Sequence, residues 1–271
     1  MTRHQNLHTH TKYSDGTLPP AKMVEAALEA RCGSIGFSEH SYVPFDLKFS
    51  IKLNKIKKYI KEVNKLKVKY KGSIEVYLGL EQDYYSDVKT EGLDFIIGAL
   101  HYVMRDGRHV SVDAGAKNQR QMVEDLFGGD YYAFAEDYYS VMSKIVGKTN
   151  ADIIGHFDLI AKYNSGKKLF DEEHPRYRKA ALGAMEEILE SCKLFEVNTG
   201  AMYRLGNTEP YPSIFLLKEL SRRGGEVLLS SDSHDAGSLC HKFDETKDLL
   251  KACGFKHIKH LTENGFTNVE I

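Results

Sequence analysis

The chain has 271 residues, 42% of them hydrophobic and 28% charged, with a formal net charge of −1. That composition excludes intrinsic disorder, and the near-zero charge excludes a global field drawing the chain to nucleic acid or an anionic membrane. At this length one domain, 1–271, is expected, because β/α barrels of about 200–250 residues commonly form a single unit. No apolar run approaches the ~18 residues of a membrane span and no secretory or transit pattern opens the sequence, so a cytoplasmic protein is expected. Cys32, Cys192, Cys240 and Cys253 form no CxxC pair, so reduced thiols are expected and any metal would be held by nitrogen and oxygen.

In chain order, apolar runs rich in β-formers stand at 5–10, 34–40, 74–81, 94–103, 152–158, 194–199 and 226–234. Helical patterns lie between several of them, at 20–31, 176–193 and 213–225, and after the last, at 244–254, opened by proline or closed by glycine where turns require it. Near-continuous apolar strands alternating with helices predict parallel strands buried on both faces, hence a β/α barrel or a doubly wound sheet. No helix fits between the third and fourth strands. The stretch 103–112 carries an Asp-Gly hairpin signal, and 117–148 reads as one or two helices broken near 128–132. The segment 48–71 contains ten lysines, but Ile56, Ile60, Val63 and Leu66 form a helical apolar stripe. A solvated helix face is therefore expected there, rather than a nucleic-acid patch.

Nearly every predicted strand ends in a residue able to bind metal. The first ends in His8 and His10, the second in Glu39 and His40, the third in Glu81, the fourth in His101, the fifth in His156 and Asp158, and the last in Asp232 and His234. The sixth ends in Asn198 instead. In parallel β/α folds the C-terminal strand ends form one rim, so residues spread along the chain would converge on one pocket. Residues two apart on a strand share a face, which pairs His8 with His10 and Asp232 with His234. Glu39 and His40 should point oppositely, leaving His40 as the ligand and Glu39 a supporting role. Singly, each residue could be a cap, a polar turn or a hydrogen-bonded core histidine; Asp15 before Gly16 could cap the following helix. Together they point to metal. His4, His109, His174, His241, His257 and His260 lie away from the strand ends and carry no such expectation.

The ordered set HTHTKYSDG, FSEH, GLE, GALH, GHFD and SSDSH resembles the PHP (polymerase and histidinol phosphatase) family, and within it the monofunctional histidinol-phosphate phosphatases. The resemblance runs along almost the whole chain. It implies a distorted seven-stranded (β/α)7 TIM-like barrel with a trinuclear metal centre on its C-terminal rim. By that likeness His8, His10, Glu81 and Asp232 would hold one divalent ion. Glu81 would bridge to a second, also bound by His101 and His156, and Asp15, His40 and His234 would hold a third. Some members have histidine where this chain has Asp15, which makes the third position richer in oxygen; imidazole with carboxylate suits Zn, Mn or Fe.

Closely spaced divalent ions can deprotonate a bridging water near neutral pH and orient it for in-line attack on phosphorus. The expected activity is thus metal-dependent hydrolysis of L-histidinol phosphate in histidine biosynthesis. Glu81, Asp232, His234 and Arg204 are expected to carry the chemistry. Arg204, whose guanidinium can grip two phosphate oxygens, Lys162 and Asp158 are the expected substrate contacts. Asp158, two residues beyond His156, would orient a ligand histidine or receive a proton. A small phosphomonoester is the expected partner, with no nucleic acid and no membrane. The alternative is a PHP-type nuclease or nucleotide phosphoesterase, which would need a basic groove with stacking aromatics near the rim.

Overall fold

The computed structural model describes residues 4–166 and 168–271. Its elements, in order, are β1 (Gln5–Asn6), α1 (Pro20–Glu29), β2 (Ser34–Phe37), α2 (Leu53–Lys69), β3 (Glu75–Asp83), β4 (Phe95–Ala99), β5 (Tyr102–Arg105) and β6 (Arg108–Ser111). There follow α3 (Ala116–Phe127), α4 (Tyr131–Met142), α5 (Ile145–Thr149), β7 (Ile153–Ile154), α6 (Pro175–Leu189) and β8 (Leu194–Asn198). The chain finishes with α7 (Gly200–Leu205), α8 (Ile214–Arg222), β9 (Glu226–Ser230), α9 (Phe243–Ala252), β10 (His257–Thr262) and β11 (Gly265–Glu270).

Among the described residues, β1, β2, β3, β4, β7, β8 and β9 form one seven-stranded sheet in that order, every pair parallel. A parallel bridge between Thr9 and Ser233 brings the two edges together, with His10 N donating to Ser233 O at 2.8 Å and Ser233 N to His8 O at 3.0 Å. The result is a nearly closed, distorted (β/α)7 barrel. Its seam is thin because β1 is two residues long; beyond Asn6 the chain spends its hydrogen bonds on Ser38 and Ser233 rather than on a ladder. The expected strand 5–10 is thus mostly irregular.

The barrel interior is packed. Gly79 on β3 gives the Phe95 ring its place: a Cβ there would lie 2.3 Å from Phe95 Cζ. Outside, α1 and α2 cover β2 and β3 with Met23, Val24, Ala27, Tyr59 and Val63, while the remaining helices cover the larger cluster on β4, β7, β8 and β9. Helix α2 buries Tyr59, Val63 and Leu66 and leaves most of its lysines in solvent. Tyr59, whose hydroxyl lies between Phe37 O and Gly79 O at 2.9 and 2.8 Å, belongs to that buried face.

Two features depart from the sequence reading. The short helix α7 follows β8 directly and carries Arg204. The C-terminal hairpin β10–β11 sits under the barrel, where Gln5 exchanges side-chain bonds with Leu261 backbone at 2.7 and 3.0 Å. His257 and His260 lie on this hairpin, at the opposite end from the strand termini. Among the described residues no helix is long and apolar enough to cross a membrane.

Candidate metal centre

The C-terminal strand ends enclose a cavity of about 260 Å³ lined by Asp15, His40, Glu81, His101, His156, Asp232 and His234, with Arg204 and Lys162 at its side. Glu81 is the hub. Its Oε1 is 2.8 Å from His156 Nε2, 3.3 Å from His101 Nε2 and 3.5 Å from His8 Nε2. Its Oε2 is 2.5 Å from His40 Nδ1 and 3.6 Å from His10 Nε2. Burial opposes its charge, but the His40, His101 and His8 imidazoles hold its carboxyl well below the ordinary carboxylate range.

Asp15 reaches this rim because its loop folds back tightly. A Cβ on Gly16 would stand 2.5 Å from the His10 carbonyl, so only glycine permits the approach. Glu39, fully buried, holds the loop by accepting from Thr11 N at 3.1 Å, Thr11 Oγ1 at 2.5 Å, and both Ser14 N and Ser14 Oγ. Asp15 then lies 3.2 Å from His234 Nε2 and 3.6 Å from His40 Nε2.

Three groups of side chains could hold metal ions: His8, His10 and Asp232; His40, Glu81 and His101; and His10, Asp15, His40 and His234, the ligand atoms within each lying within 4.8 Å of one another. His10 and His40 each stand in two groups, one ring nitrogen toward each. The division implied by the family resemblance gave each of them to one ion. Among the described residues, the buried His8 Nε2, both ring nitrogens of His10, Glu81 Oε2 and Asp232 Oδ1 make no hydrogen bond. Yet His10 Nε2 is 3.2 Å from Asp232 Oδ1. Orphaned buried polar atoms each cost about 1–3 kcal/mol, and close approach without hydrogen-bonding angles is what ligands of a shared cation adopt. Burial, reinforced by His40 and His234, pushes His10 down to about 3, so its ring is neutral, as a ligand requires. The residues fit divalent metal, and the site has room for more than one ion.

Two carboxylates escaped the sequence reading. Glu196, fully buried on β8, lies 2.7 Å from His8 Nδ1 and also accepts from His156 N, Asn198 Nδ2 and Ser230 Oγ. The sixth strand therefore does contribute. Its carboxylate is two residues before Asn198, on the same face, and strand parity was the available signal. Asp83, two residues beyond Glu81 on β3, lies 3.0 Å from His101 Nδ1. Both fix the ring orientation of a rim histidine.

Asp158 is placed differently from expectation. β7 ends at Ile154, so strand parity does not extend to 156–158. The carboxylate turns away from the metal-side cavity, accepts from Ser213 N at 2.9 Å, and is pushed by burial up to about 7. His156 Nδ1 makes no hydrogen bond to it. Lys162 does border the cavity, ion-paired with Asp113 at 2.7 Å. Arg204 NH1 donates to Asp232 O at 2.7 Å and NH2 to Asp232 Oδ2 at 2.8 Å, clamping a residue whose φ of 45° re-aims its carboxylate into the rim.

A parallel barrel with histidines and carboxylates gathered on its C-terminal rim is the architecture of a metal-dependent β/α-barrel protein. The chain belongs to the PHP domain family, whose model matches residues 6–200. β9, with Asp232 and His234 just beyond it, lies past that match. The chain is 27% identical to the probable histidinol-phosphatase of Deinococcus radiodurans, over 96% of this chain and 99% of that one. It is 25% identical to the histidinol-phosphatase of Bacillus subtilis, over 88% and 96%. Its fold superposes with a TM-score of 0.69 on the histidinol phosphate phosphatase of Lactococcus lactis, crystallised with zinc, L-histidinol and phosphate, at 20% identity and covering 98% and 99% of the two chains.

Proposed function

We propose that this protein is a metal-dependent phosphomonoesterase that hydrolyses L-histidinol phosphate to L-histidinol and phosphate in the cytoplasm. The observation that carries the reading is the hub of Glu81 among five rim histidines, with Arg204 on the wall of the same cavity. End-to-end likeness to proteins named histidinol-phosphatase supports the substrate.

His8, His10, Asp15, His40, Glu81, His101, His156, Asp232 and His234 are the residues we assign to metal. Divalent ions in that place supply a Lewis acid for phosphoryl oxygens and an activated water near neutral pH. The chain's own part is positioning. Arg204, held by Asp232, presents a guanidinium to the phosphate, and Lys162, steadied by Asp113, adds a second positive charge beside it. Asp46, lining the cavity, offers negative charge to the substrate amine, and Tyr102 and Phe49 give its imidazole an aromatic wall. Glu196 and Asp83 keep His8 and His101 in one orientation. The cavity, about 260 Å³, is on the scale of a small molecule.

A groove beside α2, lined by Lys12, Lys48, Lys52, Lys55 and Lys58 and sharing Ser50 with the cavity, is what a nuclease or nucleotide phosphoesterase would use. Metal analysis of the purified protein, followed by phosphate release from L-histidinol phosphate, a 3′,5′-nucleotide and a short single strand, separates the readings. The proposal expects bound divalent metal and turnover of the first substrate; preferred cleavage of the nucleotide or strand would favour the second reading.

A further inference from the structure

Cys32 and Cys240 are 208 residues apart in sequence, yet their sulfurs lie 3.1 Å apart, roughly 1 Å beyond the about 2.05 Å of a disulfide bond. Both sit at backbone turns. Cys32 closes the α1–β2 connection, its N–H bonded to Ala27 O at 2.9 Å, and Cys240 adopts a φ of 54° in the loop between β9 and α9. Cys32 is buried at 2% exposure, whereas Cys240 is partly open to solvent. Two thiols brought this close by distant parts of the chain are a different case from Cys192 and Cys253, which lie buried elsewhere.

The place matters. Cys240 N donates to Ser231 Oγ at 3.2 Å, and Ser231 N donates to Asn6 Oδ1 at 3.0 Å. Ser231 and Ser233 share a hydroxyl contact of 2.8 Å, and Ser233 forms the only β-bridge among the described residues that joins the segments following β1 and β9. The cysteine pair therefore ties the first β/α unit to the last, beside the thinnest part of the barrel wall. Asp232 and His234 stand on the segment it would restrain.

We propose that Cys32 and Cys240 form a reversible disulfide that clamps the barrel seam when the protein meets a hydroperoxide. One sulfur attacks the peroxide O–O bond, giving a sulfenic acid and water; the second displaces the sulfenic oxygen, forming the S–S bond and releasing a second water. Two thiols and one hydrogen peroxide give one disulfide and two waters. The hydrogen bond shared by the two thiols lowers the Cys32 thiol, which favours a thiolate within the pair. A dithiol such as dithiothreitol reverses the bond by exchange. A cross-link enclosing so long a loop restrains the unfolded chain strongly, so the oxidised form should melt at higher temperature.

The test uses the zinc-loaded full chain and a Cys192→Ser/Cys253→Ser variant that retains only the pair. After hydrogen peroxide, both should lose 2 Da, give a Cys32–Cys240 linked peptide under non-reducing digestion, and melt higher, with all three effects undone by dithiothreitol. Cys240→Ser should show none of them. Addition of 16 or 32 Da without a linked peptide, or a link through Cys192 or Cys253 in the full chain, would overturn the proposal. So would an oxidised pair variant that melts no higher than its reduced form.

Discussion

The Nδ1 of His8 lies 2.7 Å from Oε2 of Glu196, and both side chains are fully buried. This pairing joins the first strand segment to the sixth across the barrel and leaves His8 Nε2 facing Glu81 and Asp232. Burial disfavours charge on Glu196, but the His8 imidazole and its hydrogen bonds keep its carboxyl below the ordinary range. Glu196→Gln keeps the shape and removes the charge. It should lower metal affinity or turnover roughly 10- to 100-fold, read by metal content after gel filtration and by kcat. Unchanged values in a folded variant would remove Glu196 from the support of His8.

Arg204 contacts Asp232 through two nitrogens while bordering the cavity. Arg204→Lys retains charge but loses the planar fork. The loss of charge-assisted bonds predicts a fall in kcat/KM of roughly 10- to 100-fold, with weaker inhibition by inorganic phosphate and most of the metal retained. A metal-depleted variant would assign Arg204 to holding Asp232 rather than substrate.

Much of this arrangement is legible in the sequence, and the reasons for the rest are specific. The seven parallel strands are visible because each is an apolar run, and His8, His10, His40, His101, His156 and His234 are visible because they follow those runs. Glu196 and Asp83 are hidden because attention to strand ends overlooks a carboxylate two residues inside the end, or two beyond it. Asp158 misleads for the opposite reason: β7 stops early and the chain turns before the period can carry that side chain inward. The β10–β11 hairpin turns at Glu263–Asn264, with Gly265 at a φ of 90° opening β11, and the Asn-Gly dipeptide is a strong local signal. Its strands are too polar to register as the buried kind found in the barrel.

Gly79 packs against the Phe95 ring with no room for a methyl group. Gly79→Ala should force that ring from its place and destabilise the fold by about 1–3 kcal/mol. Urea denaturation with an unchanged m-value would report the loss as a lower midpoint. A neutral substitution would mean that the barrel interior is looser than its packing indicates.

His260, on the hairpin beneath the barrel, is depressed to about 4, chiefly by burial and then by Lys247 and His4. The unfolded chain, with an ordinary histidine near 6.5, binds the proton more readily than the folded one. Stability from the neutral ring is therefore complete above pH 6.5 and is lost as pH falls toward 4. His260→Gln should flatten the dependence of the urea midpoint on pH in this window. An unaltered slope would show that the ring titrates equally in both states.

The most direct test of the functional account is the ratio of kcat/KM for L-histidinol phosphate to that for a generic aryl phosphate, measured with bound metal, after chelation and after metal is restored. The account predicts a strong preference for L-histidinol phosphate, loss of turnover on chelation and recovery on restoring a divalent ion. No preference over the aryl phosphate would contradict the substrate, and turnover that survives chelation would contradict the metal chemistry.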